Sequence, residues 1–288
     1  MTRTALIDGD IYNFAASSAN EYECQWDIWL WTLHADFAAA AAQFDNMVHE
    51  VVEGIQADKI IIALTDPDNF RKRIMPSYKS NRTGKRKPVV YSAMREYIEE
   101  KYTTFQRPGL EGDDVLGILS THPNLVEGEK IIVSIDKDFH TIPGKLLNDR
   151  HARKRMAEEG IAYTDCIEEI TVADADHYHL LQTLTGDVTD GYPGCPGIGA
   201  VKAAALLEGG KVLEREVVTI SRGPRRGEQE ERWEPGRDGT QWEIIVSAYA
   251  SAGLSEEVAL QNARVARICR YTDYNYETKK VIGWRPKK

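Results

Sequence analysis

The chain reads as an α/β protein built on a mostly parallel central sheet flanked by helices. Three short, β-branched apolar runs predict it: Ala5-Leu6-Ile7, Ile60-Ile61-Ile62-Ala63-Leu64 and Ile131-Ile132-Val133. Runs of this length and composition fit strands buried on both faces. Helical patterns lie between them, which argues for right-handed crossovers. Each run also leads into acid: Asp8 after the first, Asp66 after the second, Asp136 and Asp138 after the third. In open α/β sheets, sites form outside the carboxyl ends of the strands.

Taken in order, residues 1–14 predict a strand and its outgoing loop. Residues 26–56 alternate apolar and polar at helical spacing, with Trp26, Trp29, Leu30, Leu33, Phe37 and Phe44 available for one face. An amphipathic helix packed on the sheet is the expectation; a DNA-stacking surface is the functional alternative. Residues 59–65 form the second strand. A helix follows over Val89–Tyr102, broken by Arg107-Pro108-Gly109. A further helix over Asp113–Ser120 precedes the third strand at 130–135.

From about Thr171 the character changes. Residues 173–186 predict a helix, 189–199 a tight Gly/Pro loop, and Ala200–Leu207 a short helix closed by Gly209-Gly210. Residues 214–240 suit either an exposed hairpin or a mobile loop. Helices over 241–252 and 256–270 follow, and the tail is aromatic at first and basic at the end. The chain divides into a core over 1–170 and a second region over 171–288.

The net charge of -9 over 288 residues excludes a generally basic nucleic-acid coat. Its distribution says more. Phe70–Pro88 carries eight Lys/Arg (Arg71, Lys72, Arg73, Lys79, Arg82, Lys85, Arg86, Lys87) and no Asp or Glu. Such a segment suits a phosphate backbone. Cys24, Cys166, Cys195 and Cys269 show no C-x-x-C spacing and read as separate reduced thiols. The alanine stretch Phe37–Phe44 is too short to cross a bilayer, so no membrane partner is expected and the cytoplasm is the expected location.

Nine carboxylates carry the chemistry: Asp8, Asp66, Glu111, Asp113, Asp114, Asp136, Asp138, Asp187 and Asp190. That many negative charges cannot converge without compensation. Hard divalent cations compensate them best, and oxygen ligands suit magnesium or manganese. Asp8 with Asp10 also opens haloacid-dehalogenase-type phosphatases, but Ile11-Tyr12 follows here where that motif wants Thr or Val. Taken alone, the pair is as well read as a loop cap. Asp136 and Asp138, two apart at a strand end, would share one side of the pleat. Gly197-Ile198-Gly199 before a helix would let backbone approach a phosphate, as in a helix–hairpin–helix element; a plain structural loop is the competing reading. His177 and His179 point to different sides of a helix, and zinc is not expected. His140 sits near the acidic rim, where packing or a hydrogen bond is the expected role.

Four segments together resemble the 5′ nuclease (flap endonuclease) superfamily. TDPDNFRKRIMPSYKSNR (65–82) is similar to its Phe-Arg and Tyr-Lys-x-Asn-Arg segment, and GLEGDDVLG (109–117) to its Glu-Ala-Asp-Asp helix start. SIDKDF (134–139) resembles its Asp-x-Asp strand end, and GDVTDGYPGCPGIG (186–199) its metal-plus-helix–hairpin–helix signature. Order and spacing agree over roughly residues 5–207. The tail RICRYTDYNYETKKVIGWRP (267–286) looks closest to the T7-like bacteriophage 5′→3′ exonuclease branch.

The resemblance implies a PIN-like fold with a helical arch over 70–108 and a C-terminal helix–hairpin–helix. It implies two divalent ions, magnesium or manganese. Asp8, Asp66, Glu111 and Asp113, with Asp114 close by, would serve one; Asp136, Asp138, Asp187 and Asp190 would serve the other. Lys79 and Arg82 match arch residues that contact the scissile phosphate, and Tyr78 a residue that stacks on a base. Arg71, Lys85, Arg86, Lys87, Gly197, Gly199 and Lys202 would contact DNA. Carbonyls around Leu184, Thr185, Pro193, Cys195 and Ile198 match positions that hold potassium in relatives.

The implied substrates are duplex DNA with a 5′ end, flaps, and RNA–DNA hybrids, with phage replication proteins as partners. Two departures stand out. Gly112 replaces the usual Ala, and Lys202 comes three positions after Gly199 rather than two. Competing readings are a PIN-type ribonuclease, a phosphatase using Asp8 as nucleophile, and a non-catalytic DNA-structure-binding protein.

Overall fold

The computed structural model describes residues 2–286. Along the chain run β1 (Arg3–Asp8), α1 (Gly9–Ala19), β2 (Glu21–Asp27), β3 (Leu30–Ala35), α2 (Phe37–Gly54), β4 (Lys59–Ala63), α3 (Phe70–Ile74) and α4 (Tyr91–Lys101). Then come β5 (Thr104–Phe105), α5 (Gly112–Thr121), β6 (Glu129–Val133), β7 (Gly144–Leu147), α6 (Asp149–Glu159), β8 (Glu168–Ile170) and α7 (Val172–Thr185). The rest is α8 (Ala200–Gly209), β9 (Lys211–Thr219), β10 (Gln229–Asp238), α9 (Gln241–Ser251), α10 (Glu256–Ala266), β11 (Tyr274–Asn275) and β12 (Lys280–Val281). These form two compact units. The first takes residues up to 70, 82–175 and 268–282; the second takes 71–81, 176–267 and 283 onward.

The first unit holds a six-stranded sheet of order β5-β4-β1-β6-β7-β8. All pairs are parallel except β7 with β8. β1 is central because its side chains are apolar on both faces: Ala5, Leu6 and Ile7 are fully buried. Ile7 stands level with Ile62 of β4 and with Val133 of β6. That register makes the three predicted strands end together. One core packs Ile7, Ile62, Ile131 and Val133 against Tyr12, Phe44, Val48, Val51, Met94 and Ile98. Burying each such side chain contributes roughly 1.5–3 kcal/mol.

Several expectations fail locally. The loop expected after Asp8 is α1, whose first backbone N–H groups are capped by Asp8 itself: its carboxylate accepts from Ile11 N at 3.2 Å. The helix expected over 26–56 begins only at Phe37, behind the Asp36 cap. Residues 21–35 instead form the antiparallel β2–β3 hairpin, turning at Asp27–Leu30. Aromatic and β-branched residues favour strands here, and Asp27 takes the turn by accepting from Ile28 N. Trp26 and Trp29 are 66% and 88% exposed rather than packed on the sheet; of the six apolar residues expected on one helix face, only Phe44 is fully buried. Asp136 and Asp138 lie beyond the end of β6, in a 3₁₀ turn over Lys137–Thr141 that Asp136 caps. They therefore do not share a pleat.

In the second unit, α7, α8, α9 and α10 surround Leu184, Cys195, Ile198, Ala203, Leu207, Ile245, Ala248 and Tyr249. Residues 214–240, which suited either a hairpin or a loop, fall largely in the long β9–β10 hairpin. Among the described residues, no helix is long and apolar enough to cross a membrane.

The start of α1 lies so close to β4 that only glycine fits. A Cβ on Gly9 would come within 2.5 Å of Ile62 Cγ2 and 2.7 Å of the Ala63 carbonyl oxygen. Backbone oxygen cannot swing aside as a side chain can. Gly9→Ala should lower unfolding free energy by about 1–3 kcal/mol, read as a lower urea midpoint with an unchanged slope.

Candidate active site

The common end of β4, β1 and β6 delivers acid to one edge of the first unit. Asp8 is the innermost, 2% exposed. Its carboxylate accepts from Ile11 N and, at 2.9 Å, from Ser134 Oγ. Ser134 Oγ accepts in turn from Asp136 N at 3.1 Å. Burial pushes the Asp8 carboxyl up to about 7; the negative charge of Asp10 adds to the rise, the two hydrogen bonds oppose it, and Asp136 adds a further increment. Asp8, Asp10 and Asp136 thus share an electrostatic neighbourhood, and two donors do not compensate it.

Asp66 is held differently. Its carboxylate accepts from Gln106 Nε2 (2.8 Å), Gly109 N (3.0 Å) and Asp68 N (3.1 Å). Burial alone would raise its pKa, but these donors, with the positive charge of Arg95, outweigh it and leave the group more acidic than usual. Glu111 caps α5 and is largely buried, Asp113 is half-buried, and Asp114 is fully buried. Asp114 accepts from Glu111 N at 3.1 Å and from Cys269 N at 3.0 Å, which ties the helix start to the tail segment. Asp138 N donates to the Asp136 carboxylate at 2.9 Å. His140 bridges the Lys137 carbonyl and Glu168, as expected of a hydrogen-bonded histidine.

Asp10 joins these stations together and was missing from the expected ligand set. One oxygen accepts from Thr65 N and the other from Tyr91 Oη, both at 2.8 Å. Thr65 Oγ1 then accepts from Gly112 N at 2.8 Å. The end of β4, the start of α1 and the start of α5 are therefore linked through side chains. The Asp-Gly-Asp spacing was the available signal. Ser134 was signalled only by standing between the third strand and Asp136.

Among the described residues, no three His, Cys, Asp or Glu side chains form a ready-made metal cluster. Asp8, Asp10, Asp66, Asp114 and Asp136 are turned toward local N–H and O–H donors instead. The donor set nevertheless suits a hard cation: it is all oxygen, with no thiolate or imidazole among it. The raised Asp8 carboxyl marks where positive charge would be most favourable.

In the second unit, Asp187 accepts from Thr189 N at 2.7 Å and Asp190 N at 3.2 Å, closing a turn. Gly186 and Gly194 hold positive φ, and their backbones touch: a Cβ on Gly194 would lie 2.3 Å from Gly186 N. Leu184 and Cys195 already use their carbonyls within this turn, accepting from Cys195 N and Ile198 N. Thr185 and Pro193 lie in the same turn. The Asp190 carboxylate accepts from Tyr78 Oη at 3.1 Å and lies 3.6 Å from Lys79 Nζ. Lys79 holds φ +53, and its N–H donates to the Asp190 carbonyl. Gly197 and Gly199 present open backbone before α8, and Lys202 is exposed on its first turn.

Two expected DNA contacts are corrected. Tyr78 is 3% exposed, its ring packed with Met75, Tyr192 and Val265, so its faces are not open to a base. Arg71 is 2% exposed, and its guanidinium donates to the carbonyls of Val265 (2.9 Å) and Arg267 (2.6 Å). It braces the second unit. In the first unit, Arg82 ends a short 3₁₀ turn and Lys85 is exposed. Arg86 makes a two-pronged pair with Glu21, and Lys87 lies over the Tyr91 ring at 4.1 Å.

The Asp8 shift has a measurable consequence. The folded state binds this proton more tightly than an unfolded chain with a carboxyl near 3.8. The group's contribution to stability is complete below that value and is lost as pH rises toward about 7. In metal-free buffer, Asp8→Asn should match wild type near pH 4 and gain on it progressively up to pH about 7. Urea titrations across that range check the trend; a constant difference would contradict it.

The chain has recognisable relatives among known proteins. The model for the 5′-3′ exonuclease N-terminal resolvase-like domain matches residues 3–167. The exonuclease of Escherichia phage T7 is 32% identical over 291 residues, covering 98% of this chain and 93% of that protein. The exodeoxyribonuclease of Enterobacteria phage T3 is 32% identical, covering 98% and 92%. The fold is similar to a bacteriophage T5 flap endonuclease solved with DNA and metal ions (TM-score 0.56, 16% identity, 92% of this chain and 89% of that chain). With a family model spanning more than half of it and phage relatives aligned along nearly its whole length, this chain belongs to the 5′→3′ exonuclease family.

Proposed function

We propose that the protein is a divalent-cation-dependent 5′→3′ exonuclease and structure-selective 5′ nuclease acting on duplex DNA. Flaps and the RNA of RNA–DNA hybrids are further substrates, and the products carry 5′-phosphates. The observation that carries this reading is the acid edge itself, where Asp8 and Asp136 meet at Ser134, in a chain 32% identical to the T7 phage exonuclease along nearly its whole length. A site so rich in uncompensated acid attracts hard cations and repels a bare phosphate backbone. Cations must therefore be in place for the scissile phosphate to enter the acid edge, whereas backbone contacts elsewhere on the chain need none.

Asp8, Asp66, Glu111 and Asp113 would hold one magnesium or manganese, with Asp114 supporting Glu111. Asp136 and Asp138 would hold the second, together with Asp187 and Asp190 on the strength of the family resemblance. When bound, the pair supplies Lewis acidity that readies water for in-line attack and offsets charge on the leaving 3′ oxygen. The remaining work falls to the chain's own groups. The Lys79 ammonium, 3.6 Å from the Asp190 carboxylate, would offset charge on a phosphate oxygen. Arg82 brings a guanidinium that can fork two phosphate oxygens. Backbone at Gly197 and Gly199 receives a phosphate without reading sequence. Potassium at the 184–198 carbonyls would stiffen that turn.

Incubation of 5′-labelled and 3′-labelled duplexes with magnesium, manganese or chelator tests the reading directly. Release should start from the 5′ label and need a divalent cation. Asp136→Asn should abolish release, by roughly a thousandfold or more, while binding persists in chelator; full activity would remove the acid-edge assignment. Lys79→Ala should lower kcat far more than it raises KM. Cleavage of single-stranded RNA in preference to duplex DNA would favour a PIN-type ribonuclease instead.

A further inference from the structure

The β9–β10 hairpin has no assigned role, and its charges are arranged unevenly. The stem is rich in ions of both signs, and they pair. Lys211 lies 2.8 Å from Asp238, Arg215 3.7 Å from Glu231, and Arg237 2.7 Å from Glu243. Arg232 pairs with Glu230, and Arg215 also covers the Trp233 ring at 5.2 Å. The two stem strands carry four Lys/Arg and six Asp/Glu, so the stem is mildly acidic. The tip differs: residues 218–227 contain Arg222, Arg225 and Arg226 and no Asp or Glu. Arg225 reaches back to Glu228 at 2.7 Å. Among the described residues, Arg222 and Arg226 make no ion pair. Both are exposed, on a Gly223-Pro224-Arg225-Arg226-Gly227 turn whose two glycines hold positive φ.

The hairpin is also firmly based. β9 starts one residue past α8, Val212 is buried, Leu213 N donates to Ser247 Oγ at 2.9 Å, and Gly239 N donates to the Gly210 carbonyl. From Lys211 to Thr219 the ladder runs nine residues, roughly 26 Å at about 3.3 Å per residue. That reach approaches one turn of duplex DNA, about 34 Å. An arm with a mildly acidic stem and two guanidiniums outside any ion pair at its end presents net positive charge at the tip alone.

We propose that the tip of the β9–β10 hairpin is a further duplex-DNA contact, in which Arg222 and Arg226 grip backbone phosphates. The ligand class is the sugar-phosphate backbone of a duplex, held through charge-assisted hydrogen bonds and without sequence preference. This rests on the reading of the protein as a DNA nuclease, and adds to it a backbone contact that takes no part in the chemical step.

The test compares wild type, Arg222→Glu/Arg226→Glu and Arg222→Lys/Arg226→Lys. Fluorescence anisotropy with labelled duplexes of about 10 and 30 base pairs, in chelator across a sodium chloride series, reads binding. Magnesium-dependent digestion reads turnover. The Glu variant should bind the long duplex about tenfold or more weakly, and the slope of log affinity against log salt should fall by about 1.8, at ~0.9 per lost phosphate contact. Its loss should fall on KM rather than kcat, and the Lys variant should recover most of the salt slope. Unchanged affinity and slope for the long duplex overturn the proposal, as does a loss that falls on kcat alone. A wild type that binds with the expected slope but cleaves nothing would sink the nuclease reading while leaving the contact standing.

Discussion

Parallel register around β1 is the constraint on which the first unit turns. Because Ile7 stands level with both Ile62 and Val133, three separate stretches of chain leave the sheet at one height. Carboxylates placed just beyond those points cannot avoid one another. A slip of one residue in either neighbour would turn its apolar side chains to the opposite face and unbury the core. Hydrophobic packing thus sets where the acid must go, and repulsion among the acids is accepted as the result.

The site tolerates that repulsion by distributing hydrogen-bond donors unequally. Asp66 has three and becomes more acidic than a free aspartate; Asp8 has two, is more deeply buried, and becomes far less so. The same residue type a few positions beyond adjacent strand ends therefore exists in opposite electrostatic conditions. Asp8 also caps α1, so one carboxylate serves both the helix start and the acid edge. Asp10 works one turn further on. Through Thr65 N, Tyr91 Oη and the Thr65–Gly112 bond it fixes the spacing of three elements.

The parts of this arrangement readable from sequence were those written in uninterrupted local pattern. The three central strands, α4, α5, α7 and α8 follow from short β-branched runs or helical spacing. Asp8, Asp66 and Asp136 could be placed because each directly follows such a run. What failed were segments where one local signal supports two structures. Asp-Gly-Asp after β1 suits a loop as well as a helix cap, and burial decided for the cap. Trp26, Trp29 and Leu33 fit a helical face by spacing, but they sit on a hairpin whose turn is made by Asp27. Strands β7 and β8, outside β6 in the sheet, and helix α6 lack the apolar runs that marked the centre. Tyr78 and Arg71 were misread for another reason. Motif resemblance reports residue type and order, not whether a side chain faces outward.

The fate of Arg71 carries further than one residue. Of eight cations between 70 and 88, Arg71 is enclosed by carbonyls, Lys79 faces Asp190, Arg86 is clasped by Glu21, and Lys87 rests on an aromatic ring. At least half of the formal charge in this stretch is thereby absorbed by the polypeptide itself. The long-range potential it casts into solution is correspondingly weaker than its composition suggests, and an approaching polyanion would first meet whichever guanidiniums the fold has left facing the ionic atmosphere.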